Sequence, residues 1–107
     1  MPYYLVQTAY TPEACAAMVK SPQDRLEPIR QVVERLGGKL LSMYMSFGEY
    51  DVVGLAEMAD NVSAAAFSLA ISAGGGVKAV KTTPLMTTQE GAEAFRKAGQ
   101  AEYRPPA

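Results

Sequence analysis

The residues best suited to chemistry lie in the middle of the chain, where Gly48, Tyr50 and Asp51 follow Tyr44. A carboxylate beside two phenols can act as a general base toward a carbon acid, or anchor a polar group, where its surroundings exclude water. The same residue types also fit a structural role. Glycine and aspartate are common in tight turns, where the aspartate accepts backbone hydrogen bonds. The residues alone leave both roles open, although turn geometry is the more frequent role.

The histidine and cysteine counts exclude several kinds of site. The chain contains no histidine and one cysteine, Cys15. The absence of histidine excludes the common haem ligand, the His-containing zinc sites and the Ser-His-Asp triad. Cys15 has no second cysteine to pair with, so we interpret it as a small buried hydrophobe in a reducing cytoplasm. We therefore expect no metal and no cofactor.

Charge patterning indicates neither a nucleic-acid nor a membrane partner. The 10 basic and 11 acidic residues are interleaved, so no basic face is predicted. Arg30 with Glu34, four residues apart, and the pair Asp24-Arg25 are typical of a solvated helix face. The apolar run 64–71 is too short to span a bilayer, and the first ten residues lack the pattern of a signal peptide. Three glycines at 74–76 follow a helical pattern, which favours helix termination over phosphate binding.

Composition predicts one small domain with a thin core. The chain has 107 residues, of which 49% are hydrophobic, but 17 of them are alanines and none is tryptophan. An alanine methyl group contributes little burial per residue, so a partner subunit is the expected way to thicken the core. We expect one domain at residues 1–99 and a flexible, proline-containing tail at 100–107.

The first third of the chain predicts a strand and two helical segments. Aromatic and β-branched residues favour a strand over 3–10, and Thr11-Pro12 then opens a short helix over 13–20. Ser21-Pro22 repeats this start signal before a longer helix with apolar residues at helical spacing from Leu26 to Leu36. Pro28 predicts a kink or a late start, and Gly37-Gly38 ends the helix.

Two strands over 39–47 and 50–57 form the clearest pair in the sequence. A two-residue turn at Gly48-Glu49 pairs residue 47 with 50, 45 with 52 and 43 with 54. The face that carries Met43, Met45 and Val52 is apolar and is expected to meet the helices. The opposite face is mixed and suits a subunit interface or a cavity wall; it carries Leu40, Ser42, Tyr44, Ser46, Asp51, Val53, Leu55 and Glu57. A bulge at the turn would exchange part of this assignment.

The last part of the chain predicts a helix, a strand and a terminal helix. Asp60-Asn61 caps a helix over 62–73, and a strand over 77–85 is expected to break near Pro84. Thr87 and Glu90 form a capping box for a weak helix over 88–98 that Gly99 ends. The element order predicts an α+β, ferredoxin-like βαββαβ fold with a four-stranded antiparallel sheet, helices on one face and an extra C-terminal helix.

The segment GGKLLSMYMSFGEYDVVGLAE resembles the GYD family, with the signature at Gly48, Tyr50 and Asp51 and Glu49 between them. The likeness extends over residues 3–90, and it is specific at this hairpin and at the entry Gly37-Gly38-Lys39. The family comprises small bacterial proteins without established function, related in shape to dimeric α/β-barrel proteins. The resemblance therefore implies a ferredoxin-like fold and a homodimer, and it implies no activity.

Three functional hypotheses follow. The first is a homodimer, or higher homo-oligomer, that binds a small apolar ligand through Ser42, Ser46 and Gly48. The second is a cofactor-independent isomerase or monooxygenase for a hydrophobic, enolisable substrate, with Asp51, Tyr44 and Tyr50 as catalytic residues. The third is an assembly or regulatory module built by the terminal helix, with Phe95, and the tail. We favour the first hypothesis.

Overall fold

The computed structural model describes residues 1–107 and confirms the predicted element order. The four strands and four helices are β1 (Tyr3–Tyr10), α1 (Pro12–Lys20), α2 (Leu26–Arg35), β2 (Lys39–Met45), β3 (Val52–Glu57), α3 (Asn61–Ala73), β4 (Val77–Leu85) and α4 (Thr88–Gln100). None of the helices is long and apolar enough to cross a membrane.

The strands form one antiparallel sheet in the order β2-β3-β1-β4, which is the ferredoxin-like arrangement. Helices α1, α2 and α3 cover one face. The side chains of that face include Tyr4, Val6 and Thr8, and alternation along the strands sends their neighbours to the other side. No helix packs over this second, uncovered face, whose central residues are Leu5, Val53 and Leu55.

The buried core lies at one end of the helix-covered face, which we call the closed end. Its members are Tyr4, Val33, Ala56, Met58, Ala64 and Phe67. The Tyr4 hydroxyl donates a hydrogen bond of 2.6 Å to Asn61 Oδ1, so its polar tip is satisfied at the edge of an apolar cluster. Helix α2 ends beside this cluster in a Schellman motif, in which Gly37 has φ 80° and the Gly38 N–H bonds the Val33 carbonyl at 2.9 Å.

The entry into α2 differs from the sequence prediction. Ser21 is the C-cap of α1, and residues 21–25 are not helical, so the helix start predicted at Ser21-Pro22 is wrong. Helix α2 begins late, at Leu26, which confirms the alternative inferred from Pro28. A proline in the first helical turn breaks no backbone hydrogen bond, because that turn has no internal acceptor for its N–H. Asp24 Oδ1 instead accepts the Leu26 N–H at 2.9 Å.

The β2–β3 connection is longer than the predicted turn. Met43 pairs with Gly54 and Met45 with Val52, as expected, but both strands stop there and residues 46–51 form a loop. The predicted pairing of residue 47 with 50 and the two-residue turn at Gly48-Glu49 are therefore wrong. Two hydrogen bonds of 2.8 Å close the loop instead. The Ser46 N–H donates to the Asp51 carbonyl, and the Ser46 hydroxyl donates to the Tyr50 carbonyl.

A bulge between Leu40 and Ser42 exchanges part of the predicted facing of β2. Leu40 was predicted on the mixed face, but it packs against the core cluster on the helix side. The inserted residue, Leu41, restores the alternation, so Met43 also faces the helices while Ser42 and Tyr44 remain opposite.

The C-terminal part of the chain projects from the body. Strand β4 continues through Pro84, contrary to the predicted break, because β4 is an edge strand and tolerates the missing donor. Helix α4 has the predicted capping box of Thr87 and Glu90, but it passes through Gly99 to Gln100. All of its residues except Gly91 are exposed. The radius of gyration is 17.2 Å, compared with about 13 Å for a compact domain of this length.

Candidate functional site

A cavity of about 400 Å³ lies between the sheet and helices α1, α2 and α3, next to the closed end. We call this part of the helix-covered face the open end. Strands supply Val6, Thr8, Tyr10, Val52 and Gly54, and the helices contribute Met18, Ile29, Ala70 and Ile71. Of the 21 lining residues, 15 are hydrophobic. Both the size and the apolar lining are typical of a small-molecule site.

The cavity exists because its lining residues are small. Seven of them are glycine or alanine on the strands, the helices and the α3–β4 connection, namely Ala14, Ala17, Gly54, Ala56, Ala70, Gly74 and Gly76. At the closed end, the equivalent space between helix and sheet is filled by Met58, which is 2% exposed, and by Phe67, which is 6% exposed and also lines the cavity at the boundary between the two ends. The alanine-rich composition that predicted a thin core therefore leaves a void at one end of the sheet.

Arg25 is the only charged residue of the cavity lining. It is half-buried at the N-cap position of α2, and its Nη1 donates to Gln23 Oε1 at 2.9 Å. No carboxylate lies within 4 Å of it, since the ion pairs of the structure are Arg30–Glu27 and Arg96–Glu93. A guanidinium retains its charge and has five N–H donors, so Arg25 can donate further hydrogen bonds to a bound group.

Tyr10 and Asp51 form a second polar group beside the cavity. Asp51 Oδ2 accepts the backbone N–H of Tyr10 at 2.8 Å, and the Asp51 N–H donates to the Thr8 carbonyl at 2.8 Å. These two bonds fasten the β2–β3 loop to the end of β1. Burial raises the pKa of the Tyr10 hydroxyl; Arg25 opposes this effect, and Asp51 and Cys15 add to it. Tyr10 therefore stays protonated at neutral pH and can donate a hydrogen bond.

An adjoining cavity of about 550 Å³ continues from the first one toward the β2–β3 loop. Both cavities share Tyr10, Met18, Gln23, Arg25 and Met43. The adjoining cavity is less apolar, since it adds the carboxylates of Asp24 and Asp51 and the thiol of Cys15. The free thiol of Cys15 is exposed, so its interpretation as a buried hydrophobe is wrong.

The predicted catalytic residues are only partly brought together. Asp51 and Tyr44 line the adjoining cavity, as the sequence-based hypothesis requires, although 70% of Tyr44 is exposed. Tyr50 is half-buried in the loop and lines neither cavity; its carbonyl accepts the Ser46 hydroxyl. Asp51 leaves the mixed face, because its carboxylate turns to the backbone of β1.

The predicted ligand-binding residues lie outside both cavities. Ser42 belongs to the uncovered face opposite Leu55. Ser46 uses its hydroxyl within the loop, and Gly48 is exposed there. No group of three acidic or thiol side chains that could hold a metal ion occurs in the structure.

Sequence reasoning missed Arg25, Tyr10 and Gln23 as site residues. Arg25 was interpreted as part of a solvated helix face, and Arg30 was expected to pair with Glu34. Arg30 pairs with Glu27 instead, at 2.8 Å. The signal for Arg25 was available: positions 21, 22, 28 and 29 are Ser, Pro, Pro and Ile, so no acid stands three or four residues away in the sequence.

The family model described as GYD domain matches residues 4–95 of the chain. The glutamine synthetase and cystathionine beta-lyase binding protein of Thermus thermophilus is 30% identical over 79 residues, which are 73% of this chain and 82% of that protein. A crystal structure of another Thermus thermophilus protein covers 81% of this chain and 95% of its own, with 17% identity and a TM-score of 0.54. The match to the solved structure of FFRP-DM1 covers 80% of this chain and 100% of that one, with 13% identity and a TM-score of 0.50. Both structural likenesses concern the fold.

Proposed function

The chain belongs to the GYD domain family, and from the features of its fold we propose that it is a homodimer that binds a small molecule. The sheet–helix cavity of about 400 Å³ is the observation that supports the binding function. The cavity opens to solvent beside Ala17 and Gln23, which are exposed. A cavity of this size with an apolar lining favours an occupant, because the burial of apolar ligand surface there releases water from both partners.

A pair of neighbouring alanines on α1 tests the binding function. Ala17 lines the cavity and Ala16 does not, while both are exposed residues of the same helix. The uncharged apolar dye N-phenyl-1-naphthylamine is expected to fluoresce with the wild type and with Ala16→Leu. Ala17→Leu, which fills the cavity, is expected to reduce this binding by about tenfold or more, since overpacking excludes the dye. Equal fluorescence of all three proteins would contradict the proposal.

The uncovered face of the sheet supports the homodimer. An isolated chain exposes 7638 Å², about 1,900 Å² more than a monomeric protein of 11.4 kDa is expected to expose. Helix α4, which projects from the body, contributes to this excess, and Leu5, Val53 and Leu55 of the uncovered face are only partly buried in the isolated chain. The excess is larger than the area of about 800 Å² that each partner buries in a stable protein interface of standard size. The excess exposed area therefore favours a second copy of the chain as the partner, packed against this one sheet to sheet.

Sedimentation velocity tests the homodimer at micromolar concentration. The wild type is expected to sediment as a dimer, and Leu55→Glu as a monomer, because the substitution buries a carboxylate in an apolar interface. Val62→Glu is the matched control, since Val62 is 78% exposed on α3 and lies away from the uncovered face. A monomeric wild type would contradict the homodimer.

Asp51 and Tyr44 support a second candidate function, the cofactor-independent isomerase or monooxygenase. They line one cavity, and the hydrogen bond from Tyr10 occupies only Oδ2 of the carboxylate. In this proposal Asp51 is the general base, and Tyr44 and Tyr50 orient the substrate. Deuterium exchange at the α-carbon of a panel of apolar enolisable ketones measures the proton abstraction. Asp51→Asn is expected to abolish it, and exchange no faster than in buffer alone would contradict the enzyme.

The C-terminal region and the loop tip support a third candidate, a protein-assembly module. Phe95 is 81% and Phe47 is 99% exposed, which is unusual for phenylalanine in the absence of a partner. The related Thermus protein is described as binding two metabolic enzymes. A pull-down with purified glutamine synthetase tests the shared property, with Phe47→Ser and Phe95→Ser expected to weaken capture. Deletion of residues 100–107 without a change in oligomeric mass would remove the tail from this role.

A further inference from the structure

We infer that the ligand of the sheet–helix cavity carries an anionic group, best matched by a carboxylate, on an apolar body, and that Arg25 binds that group. The inference rests on the proposed function, because it requires the cavity to hold a ligand. It extends that function from any small apolar molecule to one chemical class.

The charge balance of the cavity carries the inference. Arg25 is the single charged side chain among 21 lining residues, and the other polar side chains there, Thr8, Tyr10 and Gln23, are neutral. A half-buried cation beside an apolar void lacks part of its hydration. A bound anion would restore favourable interactions there, and a neutral or cationic ligand would not.

The hydrogen bonding of Arg25 leaves it free for such a contact. Its one hydrogen bond goes to the neutral amide of Gln23, whereas Arg30 and Arg96 each pair with a carboxylate at 2.8 and 2.7 Å. The planar guanidinium fork matches the two oxygens of a carboxylate, and two parallel charge-assisted bonds fix the position of that group. The Tyr10 hydroxyl and the Gln23 amide line the same cavity and can add donors.

Two carboxylates near Arg25 could compete with an anionic ligand for its guanidinium group. Asp24 and Asp51 line the adjoining cavity, and each accepts a backbone N–H, from Leu26 and from Tyr10, at 2.9 and 2.8 Å. Neither lines the sheet–helix cavity or lies within 4 Å of Arg25. An anionic group is therefore expected on the side of Arg25 that faces the sheet–helix cavity, with the apolar body against Val6 and Val52. A ligand held by the two aspartates would be a cation instead.

Isothermal titration calorimetry with octanoate, 1-octanol and octylamine tests the assignment, since the three probes share a chain and differ in charge. The wild type is expected to bind octanoate at least about tenfold more tightly than octanol, the factor that one charge-assisted hydrogen bond provides. Arg25→Gln is expected to lose this preference while its octanol affinity stays within about twofold. Arg25→Lys, which keeps the charge without the planar fork, is expected to retain part of it.

Arg35→Gln is the matched control, because Arg35 is an exposed arginine of α2 that lines neither cavity. It is expected to bind all three probes as the wild type does. Equal affinity of wild type for octanol and octanoate would overturn the anionic assignment and leave the binding function intact. Tighter binding of octylamine would overturn it in favour of the aspartates. If none of the probes bound, the cavity itself would have no ligand and both proposals would fail.

Discussion

The two ends of the helix-covered face are built from the same strands and differ in the size of the residues that meet there. At the closed end, Tyr4, Met58 and Phe67 fill the space under the ends of α2 and α3, and none of these residues is more than 6% exposed. At the open end, Gly54, Gly76 and Ala17 leave a cavity of about 400 Å³. The backbone architecture continues across both ends, so side-chain volume alone decides which end supplies stability and which end is free to bind.

The largest contrast is expected between two methionines. Met58→Ala at the closed end removes a side chain that is 2% exposed, and it is expected to lower the free energy of unfolding by about 2–5 kcal/mol. Met18→Ala at the open end only enlarges an existing cavity and should cost about 1 kcal/mol or less. Urea denaturation measures both midpoints. Similar losses in the two variants would contradict the difference between the ends.

Gly38→Ala is expected to destabilise the closed end by about 1–3 kcal/mol, because a methyl group has no room there. The added Cβ would lie 2.5 Å from the Glu57 carbonyl oxygen and from Met58 Sδ. The midpoint of thermal unfolding measures the effect. Gly99→Ala in α4 is the control, since nothing lies within 4 Å of its added Cβ. A Gly38→Ala protein as stable as this control would show that the close approach is not required.

The same substitution at the open end is expected to have the opposite sign. The Cβ of Gly54→Ala would meet the Ser42 carbonyl oxygen at 3.5 Å and Leu40 Cδ1 at 3.8 Å, which are ordinary contacts. An alanine in a strand should therefore stabilise by about 0.5–1 kcal/mol relative to glycine. Because the methyl group enters the cavity, dye binding should weaken as stability rises. A loss of stability in urea would mean that the open end is already fully packed.

The smallest effect is expected from acid at the N-cap of α3. The hydrogen bond from the Ser63 N–H to Asp60 Oδ1, 2.8 Å long, lowers the pKa of that carboxyl below its ordinary 3.8. The unfolded chain therefore binds the proton more tightly, and the contribution of the cap, present above pH 3.8, is lost as the pH falls through the lower folded value. Asp60→Asn keeps an acceptor without a charge, so its free energy of unfolding, measured by urea denaturation at several pH values, should fall less steeply in acid. The same pH dependence in both proteins would mean that the Asp60 cap does not contribute to acid sensitivity.

Turn and cap chemistry made much of the fold predictable from the sequence. The bounds of β1 and β4, the Gly37-Gly38 stop and the Thr87–Glu90 capping box follow from local residue preferences, and all are confirmed. The bulge at Leu41 and the six-residue loop were not predictable in this way. The loop is held by the contact between Asp51 and β1, two segments about 40 residues apart in sequence, and local residue preferences do not report such a contact.

The candidate site was less predictable because a cavity is a property of packing. The GYD signature drew attention to Asp51, which does line the adjoining cavity, but its observed bond is structural and holds the loop on the Tyr10 amide. Arg25 and Ala17 belong to no motif. Their importance arises only when α1 and α2 are placed over strands that lack bulky side chains.

Titration of the ¹⁵N-labelled protein with octanoate, followed by amide chemical shifts, shows whether the ligand binds at the open end. We expect progressive, saturable shifts at open-end amides such as Gly54, Gly76 and Val77, and near Arg25, while the closed-end amides of Met58 and Ala64, which do not line the cavity, change little. Shifts confined to α4 and the uncovered face, or no shifts at saturating octanoate, would contradict the claim that the open end is a ligand site.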